Sequence, residues 1–301
     1  MSGEEWYLPT HDESSSLYVL EMGKGPTYVI LHGGWGNEHS YLLDAFEGLE
    51  KDYRLVFYDQ RGSLRSPAKL EMVSAQAHVD DLERLRKELG LDRLNLIGHS
   101  VGSLLALLYL QKYPKNVGNL ILSALLPIRN SETQTPEEVE FSEGHRERVD
   151  HWNAKQVELI NRPDVIEQLK NEGLEKESLS AKEATRAWRI KFAGVSLFYA
   201  DRWRQMKGGR AFFNGEVNRA SFATTPKRWD FTELLRNHDA PITGIIGDHD
   251  FTDMGAKFAH HWLDPIENVK LIVVRDAGHS LWIDQPTEFR KVLSEAMKNA
   301  V

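Results

Sequence analysis

The five residues Gly98-His99-Ser100-Val101-Gly102 place a serine between two glycines. They follow the apolar run 94–97 and precede the apolar, helix-patterned run 103–109. Because glycines on both sides let the backbone turn sharply without a Cβ clash, this context predicts a strand, a tight turn and a helix. Such a turn lifts the Ser100 hydroxyl clear of a sheet edge, at the N-terminus of a helix. The sequence therefore predicts that Ser100 is a nucleophile.

Acidic and histidine residues follow two later apolar runs. The run 242–246 leads into Gly247-Asp248-His249-Asp250, and the run 269–274 leads into Arg275-Asp276-Ala277-Gly278-His279. Each group lies just past the end of a predicted strand. If these strands are parallel to the one before Ser100, all three groups meet at one edge of the sheet.

An acyl-transfer serine needs a base and a group that orients the base. His279 is the histidine with the right placement, and we predict that it takes the proton of Ser100. Asp250, three residues after a strand-ending glycine, is the preferred orienting acid. Asp248 and Asp253 remain alternatives for that acid.

The tetrahedral intermediate of acyl transfer also needs donors for its oxyanion. One is expected to be the backbone N–H of Val101, the residue after the nucleophile. The other is expected in the glycine-rich loop 32–36, which leaves the predicted strand 28–31 at the same edge. Within that loop we predict Gly34 as the donor.

The spacing of the remaining histidines and acidic residues does not match a metal-binding pattern, and we predict neither a metal site nor a cofactor. His99 should point away from the serine, and His32 should anchor its loop by hydrogen bonds to the backbone. The adjacent His260 and His261 would project in different directions from a helix. Residues 248–253 lack the alternating oxygens and sixth-place glycine of a calcium loop.

The chain divides into three parts. Residues 1–126 and 238–301 alternate short apolar runs with helical patterns, which predicts an α/β core with a mostly parallel sheet and helices on both faces. Residues 127–237 are charged, helix-patterned and poor in strand signals. We predict that they form a helical cap inserted over the C-terminal edge of the sheet.

Composition narrows the class of protein. The 301 residues carry a formal net charge of −8, which disfavours nucleic-acid binding, and contain no cysteine for disulfides or thiolate chemistry. The first residues lack a signal-peptide pattern, and the apolar runs are too short to cross a membrane. We expect a cytoplasmic protein with a small-molecule or short-peptide substrate, and the sequence leaves its oligomeric state open.

Three segments make the chain resemble the α/β-hydrolase superfamily, and within it the proline iminopeptidase-like branch. Residues 32–36 resemble the His-Gly-Gly-Pro-Gly loop of the branch, with Trp35 in place of proline. Residues 59–66, Asp-Gln-Arg-Gly-Ser-Leu-Arg-Ser, are similar to its Asp-Gln-Arg-Gly-x-Gly-x-Ser segment. Residues 98–102 have histidine where the branch usually has a second glycine, a form carried by general esterases.

The resemblance implies a serine hydrolase with the order serine, acid, histidine and no cofactor. It favours small N-terminal aminoacyl amides or peptides as substrates, with a carboxylesterase as the alternative. The segment 212–218 loosely resembles the region that carries an ammonium-binding glutamate, which makes Glu216 a predicted substrate-binding residue together with Trp35. A non-hydrolytic binding member of the fold is the alternative from another class, and a hydroxynitrile lyase or acyltransferase would share the same triad.

Overall fold

The computed structural model of the chain describes residues 3–130, 155–207 and 213–299. Its centre is an eight-stranded sheet with the strand order β1-β2-β4-β3-β5-β6-β9-β10. The strands of this sheet are β1 (Glu4–Pro9), β2 (Ser16–Met22), β3 (Thr27–Leu31), β4 (Arg54–Tyr58), β5 (Leu94–His99), β6 (Val117–Ser123), β9 (Ile242–Gly247) and β10 (Val269–Val274). Strands β3, β4, β5, β6, β9 and β10 pair in parallel, whereas β2 is antiparallel to both β1 and β4. The prediction of a mostly parallel α/β sheet is confirmed.

Helices separate or follow the strands along the chain, and those between residues 155 and 236 lie in the segment between β6 and β9. In chain order they are α1 (Ala75–Glu88), α2 (Val101–Lys112), α3 (155–160), α4 (Pro163–Asn171), α5 (Ala181–Ser196), α6 (Gly215–Thr224), α7 (Thr232–Arg236), α8 (Lys257–Leu263), α9 (Leu281–Asp284) and α10 (Pro286–Met297). Buried side chains form two apolar clusters, one containing α1, α2 and α8 residues and the other containing α10 residues. Two clusters are expected when helices cover both faces of a parallel sheet.

The centre of the sheet is fully covered. All six residues of β5 are buried, and so are ten of the twelve residues of α2, which follows it. A helix that is apolar around its circumference belongs inside a protein. The turn that joins β5 to α2 is therefore fixed on both sides by rigid, buried elements.

Residues 127–237 lie between β6 and β9, which are neighbours in the sheet. At the base of this segment β7 (Arg129–Asn130) pairs antiparallel with β8 (Trp229–Asp230). The segment thus leaves and re-enters the core at one place. The boundaries of the predicted core and cap remain a prediction, and residues 131–154 and 208–212 lie outside the described part of the chain.

Within the described ranges, no helix combines the length and apolar character needed to cross a membrane. The cytoplasmic location stays a prediction.

Candidate active site

Ser100 occupies a strained turn between β5 and α2. Its backbone has φ 54° and ψ −122°, a conformation that is costly for a residue with a side chain. A Cβ on Gly98 would lie 2.5 Å from the carbonyl oxygen of Gly102, and one on Gly102 would lie 2.2 Å from that of Leu31. Both glycines are thus required for the helix to approach the strands so closely.

His279 follows β10 and is paired with Asp250, which follows β9. The His279 Nδ1 atom lies 3.0 and 2.9 Å from the two carboxylate oxygens of Asp250. The side chain of Asp250 is completely buried, and that of His279 is nearly so. Because Nδ1 faces the carboxylate, Nε2 is the nitrogen left to exchange a proton with a substrate or nucleophile.

The three candidate acids have different partners. Asp248 accepts from the neighbouring His249 ring at 2.7 Å, and Asp253 accepts from the backbone N–H groups of Phe258 and Ala259 at the start of α8. The structure therefore brings Asp250 to His279, and it places Asp248 and Asp253 in other contacts.

The environment of Asp250 favours its charged form. Burial alone would raise the pKa of this carboxyl group, but the His279 ring and two hydrogen bonds from Thr252 outweigh it, so the pKa lies below its ordinary value. The bonds are donated by the Thr252 N–H at 2.9 Å and its hydroxyl at 2.8 Å. An ionised Asp250 can hold one tautomer of His279 and stabilise the imidazolium.

The glycine-rich loop after β3 lies against the nucleophile. A Cβ on Gly33 would come 2.7 Å from the Cβ of Ser100, so the two segments are in direct contact. The Gly33 N–H donates to the Tyr41 hydroxyl at 2.7 Å. Gly34, at φ +67°, contributes to the same cavity as Ser100, and Val101 is the first residue of α2, whose N–H has no partner within the helix. These positions are compatible with the predicted oxyanion donors.

His32 holds this loop to the end of β4. Its Nε2 accepts from the Gln60 N–H at 3.1 Å, and the Gln60 side chain donates back to the His32 carbonyl oxygen at 2.9 Å. Burial lowers the pKa of His32 to about 4, so the ring is neutral and can accept this bond. The predicted anchoring contact to the backbone is present.

Six of the eight residues in segment 59–66 are buried, and the polar ones among them form a hydrogen-bonded network. Asp59 accepts from the N–H and Nδ1 of His39 at 3.0 and 2.6 Å. The Arg61 guanidinium is completely buried and forms ion pairs with Asp12 at 2.9 Å and Asp81 at 2.7 Å. A buried arginine needs such paired carboxylates, so the segment joins the N-terminal strands to α1.

Glu38, His39 and Asp59 are the buried group in the described residues whose ligand atoms lie close enough together for a metal ion. The Arg65 guanidinium already contacts Glu38 at 3.0 Å and Asp59 at 3.5 Å. Since a cation is supplied by the chain itself, we assign no metal to this cluster.

A cavity of about 290 Å³ connects these groups to the surface. One side is formed by the catalytic candidates and the glycine-rich loop, and the other by residues of the 127–237 segment. The lining residues in the described ranges are Gly33, Gly34, Asn37, Tyr41, His99, Ser100, Trp188, Arg189, Phe192, Ser196, Met206, Lys207, Phe213, Phe251, His279 and Ser280. Three of the seven lining residues from this segment are aromatic, and its charged lining residues are the cations Arg189 and Lys207.

Two predicted substrate-binding residues are not in this lining. Trp35 is completely buried and stacks on His78 of α1, with ring centroids 4.5 Å apart, so it belongs to the core. Glu216 is exposed near the start of α6, where the Asn214 side chain accepts from its N–H, while the adjacent Val217 faces inward. Within the described residues the structure places neither Trp35 nor Glu216 in the cavity lining, and a contact of either with substrate stays a prediction.

Sequence reasoning also missed Asp284. Its carboxylate accepts from the N–H of Gly278 at 2.8 Å, and from those of Phe198 and Tyr199 at 2.9 and 3.1 Å. It thus ties the backbone next to His279 to the 127–237 segment. A buried acid five residues after the histidine gives no sequence signal, because its three partners are backbone groups.

Comparison with known proteins agrees with this architecture. The family model for the alpha/beta hydrolase fold matches residues 26–286. The chain is 32% identical to a proline iminopeptidase of Xylella fastidiosa over 63% of this chain and 61% of that protein, and 26% identical to one of Saccharolobus solfataricus over 93% and 86%. Among solved structures, an esterase from Exiguobacterium antarcticum has a TM-score of 0.65 at 21% identity, covering 98% of this chain and 100% of that chain. The chain spans about three fifths of the length of the first of these proline iminopeptidases, and it belongs to the alpha/beta hydrolase fold family.

Proposed function

We propose that this hydrolase acts through an acyl-enzyme formed on Ser100, with His279 as base and Asp250 as the group that orients it. The observation that carries this proposal is that the His279–Asp250 pair and the strained Ser100 turn open into one cavity. No metal or cofactor is needed for this chemistry.

The steps follow from the positions of the groups. The Ser100 Oγ attacks the substrate carbonyl carbon while its proton moves to Nε2 of His279, and the Gly34 and Val101 amides donate to the resulting oxyanion. His279 then gives the proton to the leaving alcohol or amine, whose bond to the carbonyl carbon breaks. Water repeats the sequence on the acyl-enzyme and releases the acid.

The cavity favours an apolar acyl group. Trp188, Phe192, Phe213 and Phe251 supply aromatic walls around a volume at the small end of ligand pockets. No carboxylate lines the cavity in the described ranges, and Glu216 lies outside it. We therefore infer small esters or amides of apolar acids as the preferred substrates, which is carboxylesterase-type activity.

A proline iminopeptidase is the second candidate, favoured by the relatives that carry that name. It requires recognition of a free amino group beside the scissile bond. One panel of substrates separates the two functions. Simple acyl esters turned over faster than aminoacyl arylamides support the esterase, and the opposite ranking supports the iminopeptidase.

Ser100→Ala tests the mechanism itself. We expect the variant to fold, to lose essentially all turnover and to lose labelling by a fluorophosphonate probe. Ser63→Ala is the control, because Ser63 is also buried but lies outside the cavity lining. Labelling that persists in Ser100→Ala would contradict the assignment. A wild-type protein that binds substrates without turnover or labelling would instead support a non-hydrolytic binding role.

A further inference from the structure

Tyr41 connects the glycine-rich loop to the turn that carries the nucleophile. Its hydroxyl oxygen accepts from the Gly33 N–H at 2.7 Å and lies 2.8 Å from Nδ1 of His99. His99 immediately precedes Ser100. One hydroxyl group thus joins the two segments that supply the proposed oxyanion donors.

His99 extends this connection to the catalytic histidine. Its Nε2 lies 3.2 Å from the backbone carbonyl oxygen of His279. Because a carbonyl oxygen can only accept, Nε2 of His99 carries the proton and Nδ1 accepts from the Tyr41 hydroxyl. The resulting chain runs from Gly33 through Tyr41 and His99 to His279.

The surrounding residues keep this chain of hydrogen bonds in one protonation state and one conformation. Burial lowers the pKa of His99 to about 3, so its ring stays neutral and its two nitrogens keep opposite roles. The His99 ring packs against the rings of His279 and Trp282, with centroids 4.9 and 5.1 Å away. Tyr41 also packs against Trp282. A different rotamer of either residue would break both the hydrogen bonds and this packing.

We propose that Tyr41 and His99 are positioning residues that set the oxyanion loop and the catalytic histidine relative to each other. This inference rests on the proposed function, because it assigns a role to the same Ser100 site. When Gly33 loses its acceptor, the loop is free to rotate the next amide, that of Gly34. When His99 loses its ring, the His279 backbone loses the contact that fixes its distance from the turn.

Tyr41→Phe tests the first link, with Tyr28→Phe as the matched control. The Tyr28 hydroxyl is also buried and also makes two hydrogen bonds, to the Met297 carbonyl oxygen and from the Asn119 amide, but it lies outside the cavity lining. We expect Tyr41→Phe to lower kcat for p-nitrophenyl butyrate about 10- to 100-fold with little change in KM, the scale of a small misplacement of reacting groups. Tyr28→Phe should leave kcat within about twofold.

An alkyl trifluoromethyl ketone reports the oxyanion site directly, because it forms a tetrahedral adduct with the serine. Its inhibition constant should rise in Tyr41→Phe by the factor that kcat/KM falls. If Tyr41 were only structural, Tyr41→Phe would lower the melting temperature but leave both the inhibition constant and kcat/KM at their wild-type values. Values of kcat and of this inhibition constant that match those of Tyr28→Phe would overturn the proposal.

His99→Gln tests the second link and keeps the proposal testable if Tyr41→Phe does not fold. We expect a similar loss of kcat, and a Tyr41→Phe/His99→Gln double variant no more than about twofold worse than the poorer single variant, because both changes break one chain. Losses that multiply would refute a shared chain. A wild-type enzyme that is not labelled by a fluorophosphonate would refute the proposed function itself, whereas normal wild-type labelling with unaffected variants would refute only the positioning role.

Discussion

Replacing Asp250 with asparagine should reverse the tautomer of His279. Both donors of Thr252 bind Oδ1 of Asp250, which also lies 3.0 Å from Nδ1 of His279, whereas in the described residues the partner of Oδ2 is the His279 ring at 2.9 Å. An asparagine must keep its oxygen toward the Thr252 donors and therefore turns its NH₂ group toward Nδ1 of His279. The ring then presents a lone pair at Nδ1 and carries its proton on Nε2. In that tautomer it cannot take the proton of Ser100.

The size of the effect follows from this loss of the base. We expect kcat to fall about 10⁴-fold for the Asp250→Asn variant, which corresponds to about 5.4 kcal/mol of transition-state free energy. The substitution preserves shape and removes a buried charge, so the fold should persist. The assay is the initial rate of ester hydrolysis at neutral pH, with circular dichroism as the check on folding.

Asp248→Asn is the matched control, because Asp248 is only two residues away and interacts with His249 instead. We expect its kcat to stay within about tenfold of the wild type. If Asp248→Asn proved much more damaging than Asp250→Asn, the assignment of the acid and the tautomer argument would both be refuted.

Three further predictions concern residues away from the reacting atoms. Glu216→Gln should leave kcat/KM unchanged for both free-amine and N-acylated substrates, because Glu216 is exposed and is not in the cavity lining of the described residues. A lower kcat/KM for free-amine substrates alone would show that Glu216 binds the substrate amine. Gly62→Ala should lower the free energy of unfolding in urea by about 2–4 kcal/mol, since its Cβ would meet Val217 at 2.6 Å in addition to the backbone strain. Gly90→Ala, with similar positive φ and open space, should cost only about 1–2 kcal/mol, and equal costs would contradict the packing of α6 on residue 62. Burial acts to raise the pKa of Glu83, but its ion pair and hydrogen bonds lower it to about 2, so its stabilisation is present above about pH 4.5 and is lost as pH falls toward 2. In Glu83→Gln the free energy of unfolding should therefore depend less on pH between about 4.5 and 2. The same pH dependence as in the wild type would contradict the contribution of Glu83.

The catalytic candidates were predictable because each is encoded locally. An apolar run followed within a few residues by a glycine and a polar side chain specifies a strand that ends at a sheet edge, as for β5, β9 and β10. Parallel pairing then brings Ser100, Asp250 and His279 to one edge without any knowledge of long-range contacts. The choice among the three aspartates was open in the sequence, because it depends on which carboxylate the β9 turn directs at His279.

The role of Trp35 could not be predicted from the loop sequence. Gly34 and Gly36 both have positive φ, and the chain turns around Trp35 so that its ring points into the core. The partners of that ring, His78 and Phe222, are 43 and more residues away in the sequence. A large aromatic residue beside an oxyanion loop is equally consistent with a pocket wall and with a core residue until those partners are known.

The first strand, β1, gives no clear sequence signal for a related reason. The segment Glu4–Pro9 has mostly exposed side chains and forms the outer, antiparallel edge of the sheet. An edge strand buries too little surface to show an apolar pattern. Likewise, Arg61 is of a residue type that is rarely buried, and its burial depends on Asp12 and Asp81, which come from distant parts of the chain.

The resemblance to proline iminopeptidases predicts the type of reaction better than it predicts the substrate. Six of the eight residues in segment 59–66, which carries much of this resemblance, are buried, and none of the eight is in the cavity lining of the described chain. This segment holds Gly33 and Gly34 near Ser100 through the contacts of Gln60 with His32. The opposite wall of the cavity includes residues of α5 together with Met206, Lys207 and Phe213, all in the segment between β6 and β9. Substitutions in that wall can change which acyl group fits without altering segment 59–66. Two proteins that share segment 59–66 are therefore expected to share the reaction, whereas the segment between β6 and β9 determines the substrate.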